Sequence, residues 1–199
     1  MADAQTKRVI AVAATLMLAF AAAPALAHEG AEGVAGGFVA GLQHPLFGPD
    51  HLVAMVAVGL WGAFLGRPAI WVLPIAFPLV MALGGALGVA GVPLPQVETG
   101  IALSAVVLGV VVALALKPPL WVAGLVVAAF AIFHGHAHGT ELPSAANPLS
   151  YSAGFVISTG LLHLAGIALG FLASGAAGRI AVRGAGAAIA LAGVYFLAA

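Results

Sequence analysis

Apolar residues run through this sequence in long blocks, separated by short stretches that hold most of its charges. A hydrocarbon core about 30 Å thick is crossed by about 20 apolar residues in a helix, so each block has the length of a membrane span. Dividing the chain at charges and prolines predicts six spans, over approximately 34–66, 69–91, 97–116, 120–138, 150–174 and 180–198. The predicted fold class is therefore all-α, a polytopic membrane helical bundle with six transmembrane helices. The first block is too long for one straight crossing: its roughly 33 residues would reach about 50 Å. It contains Pro45, Gly48 and Pro49. Proline removes a backbone donor and clashes with the preceding turn, so a break or strong tilt is expected there.

Ahead of the six blocks, Lys7 and Arg8 precede an apolar run from Val9 to Ala23, and Ala25-Leu26-Ala27 gives a small-x-small pattern before His28. That order predicts a cleavable signal peptide over 1–27 and a six-helix domain over 28–199. An uncleaved first helix is the other reading. Cleavage would make His28 the N-terminus, where its amine and imidazole could chelate a metal together, with Glu29 and Glu32 close by; a solvated acidic tail without a role fits the spacing equally well. Loop charges alternate in sign along the six blocks. Arg67, Lys117, Arg179 and Arg183 fall on one side, Glu98 and Glu141 on the other. The positive-inside bias puts the basic loops in the cytoplasm of a bacterial inner membrane, with both the mature N-terminus and the C-terminus in the periplasm.

Composition narrows the chemistry. Of 199 residues, 63% are hydrophobic and 6% charged, with a mean hydropathy of +1.19, so the lipid bilayer is the expected surrounding. Six basic and six acidic residues leave no cationic surface for nucleic acid. Without cysteine, a metal site must use imidazole, carboxylate or backbone oxygen. No phosphate-binding loop of the Walker type is present, which excludes ATP hydrolysis by this chain though not by a partner. Glycines such as Gly84, Gly85, Gly88, Gly184, Gly186 and Gly193 predict close helix packing, and a homo-oligomer stays open.

Ionisable residues inside spans are costly and must have partners or a function. The first group is His44-Pro45-Leu46-Phe47-Gly48-Pro49-Asp50-His51. In an unbroken helix His44 and His51 lie about 10 Å apart along the axis, too far for one ion held at roughly 2 Å by each. A kink at Gly48-Pro49 would bring them together, with Asp50 as a ligand or as the acceptor that orients a ligating histidine. A plain capping motif is the bland alternative. The second group runs from His134 to Glu141, with His136 and His138 between. As a helix it puts His134 and His138 on one face and turns His136 away; an extended backbone permitted by Gly135 and Gly139 would align all three. Adventitious binding by a loop tip is the competing reading. The third is His163 in the fifth span, a lone buried histidine that is either structural or a ligand, with Ser158 and Thr159 nearby.

In this order, the three groups resemble the HupE/UreJ family of nickel and cobalt permeases. His44-Pro45-x-x-Gly48-x-Asp50-His51 is similar to that family's first-helix motif, Phe133 to Glu141 to its histidine-rich segment, and His163 falls where the fifth helix carries another histidine. The resemblance covers essentially the whole chain. It implies uptake of Ni2+ or Co2+ for hydrogenase, urease or cobalamin synthesis, with the ion as cargo and no prosthetic group. It also implies His44, Asp50, His51, His134, His136, His138 and His163 as metal ligands, to which the N-terminal reading adds His28. In the expected sequence of events, His28 and the outer histidines capture the ion and pass it to a deeper site of His44, Asp50, His51 and His163. Two rivals are a membrane metal sensor or accessory subunit, and an intramembrane metal hydrolase with Asp50 or Glu141 as its base. The chain has no separate substrate-binding domain and no zinc-protease signature to favour the hydrolase.

Overall fold

In lipid, a backbone must satisfy its own polar groups, and an apolar segment does so as a helix. The computed structural model describes residues 33–142, 147–171 and 175–199, all within the compact unit Ala31–Ala199. The predicted signal peptide and His28 lie outside the described residues. Those residues form seven α-helices and no strand: α1 (Gly33–Phe47), α2 (Pro49–Leu65), α3 (Ala69–Val89), α4 (Val97–Ala113), α5 (Leu120–Thr140), α6 (Pro148–Phe171) and α7 (Ala176–Ala198). Four of them, α3, α5, α6 and α7, are long and apolar enough to cross a membrane, and α1 with α2 makes a fifth when counted as one bent span. Helix α4 is apolar but has 17 residues, about 26 Å.

The expected break falls at Gly48, where α1 and α2 meet at 77°. Pro49 takes the first turn of α2, where a missing N–H leaves no intrahelical bond unmade. Around it, Gly48 N donates to the His44 carbonyl at 3.0 Å and Leu52 N to the Gly48 carbonyl at 2.9 Å, while His51 N, between them, turns to the Asp50 carboxylate.

Glycine contacts fix how the helices run against one another. Gly37 lies against Asn147 and Ser150, Gly41 against Tyr151, Gly59 against His163 and Gly170 against Ala63. The chain therefore advances along α6 in one direction through α1 and then α2. It does not double back at the break. Helices α3 and α5 also run parallel, with Met81 opposite Gly135 and Gly85 opposite Gly139. In contrast, α4 and α7 are antiparallel, because Gly109 meets Gly186 and Ala190 whereas Gly193 meets Ala102 and Val106.

The outward surfaces match a lipid solvent. Trp71, Ile75, Leu79 and Leu83 make an exposed apolar row at four-residue intervals on α3, while Leu73, Phe77 and Met81 on the same helix are buried. Among the described residues, the basic ones gather at one end. There Lys117 Nζ sits 4.9 Å from the centre of the Phe64 ring, Arg183 Nε donates to the Ala113 carbonyl at 2.7 Å, and Trp61 Nε1 donates to the Leu116 carbonyl at 3.1 Å. Glu98, at the start of α4, and Glu141, just beyond α5, stand at the other end.

Candidate metal-binding site

The bend at Gly48 brings His44 and His51 to a ring-centre separation of 6.0 Å. Helix α5 continues through its histidine motif to Thr140, so the helical reading of that segment holds. Gly135 and Gly139 do not interrupt it. They admit α3, since a Cβ at Gly135 would collide with the Met81 backbone and one at Gly139 with Gly85.

His134 and His138 thereby share a face of α5, and the first-helix motif meets that face. Ring centres are 4.7 Å apart for His44 and His138, 4.5 Å for His51 and His138, and 4.7 Å for His51 and His134. Four imidazoles thus form a continuous group. At its outer edge, one ligand atom each from His44, His138 and Glu141 lie within 4.8 Å of one another, and His44 Nε2 is 3.8 Å from Glu141 Oε2. Donors held about 2 Å from a single ion are separated by at most about 4 Å, so this trio would close by about 1 Å on binding. Burial raises the pKa of Glu141, and nearby Glu98 raises it further.

Hydrogen bonds decide which nitrogens are free. Asp50 Oδ1 accepts from His51 N at 2.8 Å and from His51 Nδ1 at 2.9 Å. A carboxylate can only accept, so Nδ1 carries a proton, and the neutral ring then keeps its lone pair on Nε2. Ser104 gives its one hydroxyl hydrogen to the Ile101 carbonyl at 2.6 Å and lies 2.9 Å from His134 Nε2. His134 Nε2 must then donate to Ser104, which leaves its Nδ1 as the lone-pair nitrogen. Both free nitrogens are buried without a partner, as are both nitrogens of His138. A buried polar atom without a partner costs about 1–3 kcal/mol, and several of them together mark a place prepared for a ligand.

The remaining sequence candidates sit differently. His136 turns away from the group and donates from Nε2 to the Val92 carbonyl at 2.7 Å, tying α5 to the connection between α3 and α4. His163 lies beyond Phe77, whose ring centre is 5.5 Å from those of both His134 and His163. Glu141, Ser104 and Phe77 complete the site and were not selected as site residues from sequence. Glu141 had a signal, being three residues after His138. Ser104 is a hydroxyl in the apolar middle of α4, 30 positions from its partner, and Phe77 is indistinguishable in sequence from any core aromatic.

The HupE / UreJ protein family model matches residues 15–196. The chain belongs to the HupE/UreJ family. A curated relative, "Protein HupE" of Rhizobium leguminosarum bv. viciae, is 50% identical over 183 residues, covering 92% of this chain and 96% of the relative. No solved structure matches the chain. In this HupE/UreJ protein, the first two motifs of the resemblance supply the group around His51, whereas His136 and the third motif's His163 stand outside it.

Proposed function

We propose that this chain is a bacterial inner-membrane permease that takes up Ni2+, with Co2+ as a second cargo, and that His44, His51, His134, His138 and Glu141 carry the ion. The observation that carries this reading is the run of adjacent imidazoles from the Glu141 end to His134, with unpartnered buried nitrogens along it. A sensor needs one closed cage; a run of partial sites suits passage. Imidazole with a single carboxylate fits nickel, cobalt, zinc or copper, so geometry and supply must set the selection. Family membership favours nickel and cobalt, destined for hydrogenase, urease or cobalamin.

In this reading the chain crosses six times, with α1 and α2 as one broken first span and α4 as the third. Strict alternation of six spans makes the first and fifth parallel, the second and fourth parallel, and the third and sixth antiparallel. The three glycine-contacted pairs have those directions. The Glu98 and Glu141 end then faces the periplasm and the arginines the cytoplasm, so the imidazoles open outward. Inward movement of a divalent ion down the membrane potential yields about 4.6 kcal/mol per 100 mV, sufficient for uptake without ATP. His28 would add a capture ligand ahead of the mouth.

Whole-cell uptake of labelled nickel and cobalt tests the proposal. His44→Ala and Asp50→Ala are expected to lower uptake at least tenfold, Asp50 acting by orienting His51. Native rates in both variants, at equal membrane abundance, would sink the mechanism.

A further inference from the structure

We propose a second cation site, one step deeper than the imidazole group and separated from it by Phe77, built from the His163 imidazole, the Thr159 hydroxyl and the Pro74 backbone carbonyl. It rests on the permease reading for its role in passage, but its existence as a binding site does not.

The site begins with two prolines on α3. Pro74 and Pro78 are four apart, and Pro78 has no N–H, so the Pro74 carbonyl loses the donor that a regular helix would give it. Phe77, three residues further along α3, has its ring centre 5.5 Å from that of His163, which sets the Pro74 turn of α3 against His163, and neither His163 nitrogen has a partner. Thr159 stands one turn earlier on the same face of α6, and its Oγ1 is likewise buried without a partner. A threonine within a helix ordinarily returns its hydroxyl to a carbonyl of the preceding turn, and this one does not. Exposure of Thr159 is 0% and of His163 1%, so bulk water does not reach them.

One imidazole, one carbonyl and one hydroxyl make a donor set for a partly hydrated divalent transition-metal ion, with more oxygen than the outer group. Broken or proline-interrupted helices in membranes leave carbonyls free where they line a cavity, and such carbonyls coordinate cations. Phe77 lies between this site and His134, at 5.5 Å from each ring. An ion passing inward would have to change ligands around that phenyl ring.

Cobalt titration of the detergent-solubilised full-length protein, read by equilibrium dialysis and by the visible absorption of bound Co2+, tests the site. Native protein is expected to bind one more ion than His163→Ala. Thr159→Val, which keeps the side-chain volume, should weaken that step about tenfold by removing one oxygen donor. The double variant His44→Ala/His138→Ala should retain it. Equal stoichiometry in native protein and His163→Ala, or a Thr159→Val titration superimposable on the native one, would overturn the site and leave water as the partner of these groups. Should His163→Ala fail to give a monodisperse preparation, the Thr159→Val comparison decides alone. The deeper step present in a protein that shows no cellular uptake would keep the site and reject the permease.

Discussion

At the scale of single residues, the group around His51 depends on side chains that orient its imidazoles. Asp50 and Ser104 hold the protons of His51 and His134 on the nitrogens facing away from the free lone pairs. Replacing Ser104 by Ala removes the acceptor for His134 Nε2–H and frees the ring to take the other tautomer. Metal affinity of the purified protein is expected to fall about tenfold, and the metal-free protein to lose about 1–3 kcal/mol of stability, because the buried His134 ring N–H is left without its acceptor. Isothermal titration with Ni2+ checks this, and an unchanged dissociation constant would remove Ser104 from the site. His44, Asp50 and His51 were legible in sequence because their spacing around Gly48-Pro49 is local. Ser104 was not, since a tautomer-fixing partner is supplied by another helix and leaves no mark at the histidine's own position.

At the scale of helices, the break at Gly48 could be read from proline and glycine placement, but its 77° angle could not, being set by how both halves pack along α6. The α5 motif was harder. Its glycines permitted either a helix or an extended strand-like run, and the deciding factor was tertiary: α3 approaches so closely at Gly135 and Gly139 that any side chain there would meet backbone. This gives a test in which intrinsic propensity and packing have opposite signs. Alanine favours a helix over glycine by up to about 1 kcal/mol, so Gly124→Ala, with open space around the added methyl, should leave the unfolding midpoint in detergent unchanged or raised. Gly135→Ala adds the same methyl against the Met81 backbone and should destabilise by about 1–3 kcal/mol despite its better propensity. It should also displace His134 and His138, reducing metal binding with stability. Equal midpoints for the two variants would mean that α3 and α5 do not meet closely at Gly135.

For the whole molecule, hydropathy locates the segments but is silent on which lie side by side. Helices α3 and α5 are separated by a full intervening helix and still form a close parallel pair, because Gly135 admits the Met81 backbone and Gly139 admits that of Gly85. In the proposed six-span topology parallel neighbours are joined through a return crossing, which α4 would supply. In the same proposed topology α1 with α2 is a single crossing; if they doubled back, the parity of every later helix would invert and Glu98 and Glu141 would face the cytoplasm. That inversion can be measured. Alkaline phosphatase, which is active only outside the cytoplasm, should be active when fused after Ala199 and inactive when fused after Lys117, between α4 and α5; a fluorescent protein that matures only inside should report the reverse pattern. A fluorescent fusion at Ala199 together with phosphatase activity at Lys117 would invert the bundle. It would turn the Glu141 end of the imidazole group toward the cytoplasm, and the protein would then have to be an exporter or a cytoplasmic metal receiver.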